Sequence, residues 1–132
     1  MGPEIAVREV VFVVPGDLET RTGGYGYDRR IIAGLRATGW SVDVVAPDVD
    51  CGFDASTREQ LVQRIAALTD GSWVVVDGMA FGVMPDVAAQ HATRLRWVAL
   101  VHHPLALETG LSPLQARSLF DSERRALASA RG

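Results

Sequence analysis

Four short runs of β-branched and apolar residues punctuate the chain: VREVVFVV from Val7 to Val14, VDVVA from Val42 to Ala46, WVVV from Trp73 to Val76 and WVALV from Trp97 to Val101. Apart from the first and second, which each carry charge, they are continuous rather than alternating, the pattern of strands covered on both faces in a parallel sheet. Pro15-Gly16 stops the first, Pro47 the second and Asp77-Gly78 the third, and the fourth breaks at His102-His103-Pro104. Strands of this kind need helices on both sides of the sheet.

The intervening segments supply them. Tyr27, Ile31, Ile32, Leu35 and Arg36 recur at helical spacing until Gly39 closes the segment. Ser56 and Glu59 have capping-box spacing, with Leu61, Ile65 and Leu68 as the buried stripe and Asp70-Gly71 as the stop. A third helical stretch is expected from about Met84 to Thr93. Ser112-Pro113 with Gln115 reads as a capped start for a final helix running to about Ala130. Strands alternating with helices predict right-handed βαβ units and an α/β fold, a Rossmann-like three-layer sandwich with a mainly parallel sheet of about four strands.

The 132 residues suit one domain, and 48% hydrophobic against 22% charged residues is an ordinary globular balance. Thirteen basic residues, all arginine, face sixteen acidic ones, a net charge of −3 that gives no overall field for phosphate backbones. Nucleic acid is therefore a poor partner. Cys51 is the only cysteine, so neither an intrachain disulfide nor a cysteine-based zinc site can form, which suits a reducing cytoplasm. Met1 to Arg8 lacks the pattern of a signal peptide, and no apolar run approaches the roughly 20 residues of a membrane span. A soluble, cytoplasmic protein is expected.

In parallel α/β sheets, ligands sit beyond the carboxyl ends of the strands. The loops to search are Pro15 to Gly26, Pro47 to Phe53, Asp77 to Gly82 and His102 to Leu111. Gly23, Gly24 and Gly26 lead into the first helix, where backbone amides and the helix N-terminus form an anion cradle; the same glycines also suit a merely flexible loop. They match neither the dinucleotide fingerprint, because they follow the strand by about nine residues, nor a P-loop, because no lysine is present. His102 and His103 lie where the fourth strand ends, beside Glu108 and Thr109. Adjacent residues on an extended segment point opposite ways, so at most one histidine faces a pocket, and convergence of both with Glu108 on a metal is disfavoured.

His91, alone on a helix among alanines, reads as structural. Asp77, Asp17 and Glu19 are available as acceptors, and Arg21, Arg29 and Arg30 flank the glycines, yet loop carboxylates and helix arginines are most often solvated. No Gly-x-Ser-x-Gly is present, and Cys51 has no sequence partner, so a serine or cysteine hydrolase is unsupported.

Taken in order, PGDLETRTGGYGYDRRIIAGLRATGWSVDVVAP, VVVDGMAFG and WVALVHHPLALETGLSPLQARSLFDSERRALASA resemble the N-terminal domain of family 4 (group 1) glycosyltransferases of the GT-B fold, over nearly the whole chain. The resemblance implies a retaining hexosyltransferase with a nucleotide-diphosphate sugar as donor, in which two Rossmann-like domains face across a cleft. The N-terminal domain mainly holds the acceptor, and generally no metal or other cofactor takes part. It further implies that Gly23 and Gly24, with Gly26 less closely matched, approach the donor diphosphate. The strand-end histidine near the donor sugar corresponds to His102 or His103, with His102 favoured because it follows the strand directly, and Pro104 to Leu111 shape the acceptor side.

The family's C-terminal donor domain, with its paired glutamates, has no counterpart in these 132 residues, which end where the next strand of the N-terminal domain should begin. The expectation is a truncated acceptor-side half, inactive alone, that self-associates through exposed hydrophobic edges. The alternative is a non-catalytic, flavodoxin-like module that binds a small phosphorylated ligand through the same glycines.

Overall fold

The computed structural model describes residues 8–16, 23–46 and 55–131. Four strands, β1 (Glu9–Val13), β2 (Ser41–Val45), β3 (Trp73–Asp77) and β4 (Arg96–Leu100), form one sheet in the order β2-β1-β3-β4. Every neighbouring pair is parallel, with Val10 beside Val42 and Trp73, and Val75 beside Val98. The fold is thus the Rossmann-like α/β class expected from the apolar runs.

Period-two alternation distributes the strand side chains between two cores. Val10, Phe12 and Val42 pack with Ile32 of α1 (Gly23–Ala37) on one face. Val13, Val45, Val74, Val76 and Trp97 pack on the other with Leu61 and Ile65 of α2 (Ala55–Ala66), Val87 and Ala88 of α4 (Pro85–Gln90), and Ala126 of α5 (Pro113–Leu127). A four-residue α3 (Gly78–Phe81) joins β3 to α4 and buries Ala80 and Phe81 in the same core. Helices therefore cover both faces, which is why the strand sequences carry apolar residues at successive positions.

Several boundaries differ from the sequence reading. The first helix begins at Gly23, four residues before Tyr27, so Gly23, Gly24 and Gly26 are helical rather than part of the preceding loop. Ser56 lies inside α2, which begins at Ala55, and so is not its cap. The stretch from Met84 to Thr93 is helical only over α4, and the last helix ends at Leu127 with Ala130 beyond it packed on the core. The cap at Ser112 is present as read: its Oγ accepts from Gln115 N at 3.1 Å, and the Gln115 side chain accepts from Ser112 N at 2.9 Å. Gly39 closes α1 with φ +94°, a conformation L side chains rarely adopt.

No helix among the described residues is long and apolar enough to cross a membrane.

Candidate functional site

The carboxyl ends of β3 and β4 and the second turn of α1 meet at one point. Asp77 closes β3 and caps α3, its Oδ1 accepting from Met79 N at 2.9 Å. That bond fixes the carboxylate rotamer and leaves Oδ2 for other contacts. Gly78 follows, and a Cβ placed there would lie 3.1 Å from Val101 Cα and 3.2 Å from Leu100 O. Glycine at this position lets the turn after β3 approach the end of β4 closely.

His102 follows that strand end. Its Nε2 lies 2.8 Å from Asp28 Oδ1 and 3.5 Å from Asp77 Oδ2. Asp28 is 0% exposed and Asp77 1%. The Tyr27 ring meets the imidazole edge-on at 5.3 Å between centroids and is itself about half exposed. Three segments distant in sequence thus contribute Asp28, Asp77 and His102, whose ligand atoms all fall within 4.8 Å of one another.

Two buried carboxyls in contact cannot both be readily ionised. Burial first, and then the hydrogen bond and charge of Asp77, push Asp28 up to about 8. No donor among the described residues faces its buried Oδ2. For the two acids to hydrogen-bond each other, one of them must carry a proton. No arginine forms an ion pair with either carboxyl among the described residues. His102 Nε2 is turned to the acids, and its Nδ1 makes no hydrogen bond among the described residues.

The other sequence-derived residues fall as follows. Gly23, Gly24 and Gly26 start α1, so their helix end lies on the element that carries Asp28. His103 is exposed and does not join the cluster, and neither does Glu108, which caps a short 3₁₀ turn at Leu105–Leu107. His91 is buried, accepting from Arg94 Nε at Nδ1 over 2.9 Å. Arg94 also reaches the carbonyls of Ile65 and Leu68, closing the end of α2, so this pair holds the fold together. Asp17, Glu19, Arg21, Cys51 and the Pro47 to Phe53 loop lie outside the described residues.

Asp28 was not among the residues singled out from the sequence. Its signal was positional: Asp28, Ile32 and Leu35 stand at i, i+4 and i+7, so the acid lies on the helix stripe that faces the sheet. A groove lined by Ser41, Thr69, Trp73 and Arg96 lies at the amino ends of the strands, the edge opposite His102. Ligand sites of such sheets are found at the other edge.

Comparison with protein-family models, with curated proteins and with solved structures finds no match to this chain.

Proposed function

We propose that the chain is the acceptor-side domain of a retaining glycosyltransferase that uses a nucleotide-diphosphate sugar, as its sequence resemblance implies. The observation that carries the reading is the 2.8 Å contact between His102 and Asp28 at the carboxyl edge of the sheet. It fixes the imidazole where ligands of such sheets bind, next to the glycine-started helix that the resemblance brings to the donor diphosphate. His102, a fifth to a quarter of whose side chain is exposed, offers Nδ1 to a sugar hydroxyl while Nε2 stays on Asp28.

In this reading each group has a defined task. The amides at the start of α1 stabilise negative charge developing on the departing diphosphate. His102 orients the donor sugar by hydrogen bonding, and Asp28 with Asp77 holds His102 in place. Tyr27, about half exposed, packs edge-on against the imidazole. A donor-binding domain completes the cleft, so transfer is a property of the two-domain enzyme.

The test is transfer from a panel of nucleotide-diphosphate sugars by an enzyme joining this chain to a donor-binding domain, comparing wild type with His102→Ala. Loss of about a hundredfold or more in turnover is expected, as for other positioned polar groups at reacting centres. Unchanged turnover contradicts the reading. The second reading, a phosphorylated-ligand module, draws on the glycines starting α1 and is favoured instead if the 132-residue chain alone binds a small phosphorylated metabolite tightly.

A further inference from the structure

We propose that the acceptor is an alcohol or phenol whose hydroxyl sits beside an aromatic or alkyl group, and that Tyr27, Met79 and Val101 select it over a free sugar. The inference rests on the proposed function, whose acceptor class it names.

The three side chains adjoin His102 or its acid partner. The Tyr27 and His102 rings lie 5.3 Å apart between centroids, and Val101 directly precedes His102. A Cβ on Gly78 would lie 3.3 Å from Val101 Cγ2, and Met79 follows Gly78 with its N–H donated to Asp77. Tyr27, Met79 and Val101 are 47%, 57% and 41% exposed, whereas Ala80 and Phe81 of the same short helix turn into the core. Single exposed apolar residues are ordinary on a protein surface. Here three of them gather at the ligand-binding edge of a parallel sheet, beside a partly exposed histidine.

The polar groups nearby are spoken for. Each sugar hydroxyl that leaves water needs a replacement hydrogen bond. The carboxyls of Asp28 and Asp77 are 0% and 1% exposed and engaged with His102 and Met79 N, so neither is open to an acceptor. In the proposed function His102 Nδ1 goes to the donor sugar. What Tyr27, Met79 and Val101 present instead is ring, thioether and branched methyl surface, which gains by covering an apolar group. An aromatic ring offers a face for offset stacking, and a thioether adapts to aryl and alkyl shapes alike.

In the transfer the acceptor's hydroxyl oxygen bonds to the anomeric carbon as the bond from that carbon to the diphosphate oxygen breaks. The electron pair leaves on the diphosphate, which also takes the hydroxyl proton, and a nucleoside diphosphate is released.

The experiment uses the two-domain enzyme carrying this chain and measures donor hydrolysis alongside transfer, with benzyl alcohol and hexanol compared against glucose and glycerol. A kcat/KM at least about tenfold higher for the two apolar acceptors is expected. Met79→Ser should raise KM for benzyl alcohol by about tenfold, with kcat, donor KM and donor hydrolysis unchanged, and Val101→Thr, which keeps the shape, should raise it less. Circular dichroism establishes that each variant is folded. Equal or better use of glucose or glycerol overturns the proposal, while donor hydrolysis that depends on His102 leaves the sugar-transfer reading standing. A Met79→Ser enzyme that is unchanged, or that loses donor and both acceptor classes alike, overturns it as well; the second result marks the surface as a contact with the donor-binding domain. Absence of both hydrolysis and transfer overturns the sugar-transfer reading, and this inference with it.

Discussion

His102 and Asp28, 74 residues apart, meet at 2.8 Å where the end of β4 passes the second turn of α1. Of the imidazole nitrogens only Nε2 faces the acids, so the contact selects a tautomer as well as a position. With Asp28 Oδ1 as the acceptor, the expected tautomer carries its proton on Nε2 and leaves the Nδ1 lone pair free. Nitrogen-15 NMR of the imidazole should show this tautomer in the wild type and an altered tautomer balance in Asp28→Ala. A wild-type ring protonated on Nδ1 instead contradicts the assignment.

Asp28 is also expected to cost stability, because a carboxyl at 0% exposure next to Asp77 has lost its hydration and forms no ion pair with an arginine among the described residues. Asp28→Asn keeps the shape and supplies an amide donor to Asp77. Thermal unfolding at neutral pH in the presence of a chelator should show a gain of about 1 kcal/mol, roughly 3–6 °C in Tm for a chain of this size. A loss of similar size identifies Asp28 as a stabilising partner of His102 and counts against a functional origin for its burial.

Gly82 tests how tightly the residues after His102 are held. A Cβ there would sit 2.6 Å from Leu105 Cδ1 and 3.0 Å from Gly78 O, while Ser122 Oγ donates to Gly82 O at 2.6 Å. Gly82→Ala must push Leu105 aside, and with it the turn that follows His102. Urea unfolding should report a loss of about 1–3 kcal/mol, the usual cost of overpacking. A neutral result shows that Leu105 repacks freely.

His91 gives a pH dependence of known sign. Burial first, then the charge of Arg94, lower its pKa from the ordinary 6.5, so the folded state keeps the ring neutral when the unfolded chain already binds a proton. Its contribution to stability is therefore present above the unfolded pKa and is lost as the pH falls below it. Asp28, pushed up to about 8, acts in the opposite sense and adds stability as the pH falls through this window, so the His91 contribution is read by difference: from about pH 7.5 to pH 5.5 the urea midpoint of His91→Gln should change more favourably than that of the wild type. An identical slope in the variant excludes His91 as the titrating group.

The strands were legible because two-sided burial writes itself as consecutive apolar residues, and Val74 with Val76 on one core and Val75 on the other shows the cause. The last helix was legible because the Ser112 cap is a local bond between near neighbours. The start of α1 was not, since Gly23 and Gly24 are poor helix formers and the tertiary setting overrides that preference. His102 could be singled out by its place at a strand end. Asp28 could not be paired with it, because the Tyr-Asp-Arg-Arg sequence reads as a solvated helix surface, and only the sheet's topology reveals which acid the histidine meets.

In the proposed function His102, held by Asp28, orients the donor sugar. The most direct measurement is sugar transfer by a two-domain enzyme carrying this chain, with His102→Ala and His103→Ala compared side by side at matched folding. The account predicts loss of about a hundredfold or more in turnover for His102→Ala and near wild-type transfer for His103→Ala. Intact transfer in His102→Ala, or loss confined to His103→Ala, would contradict it.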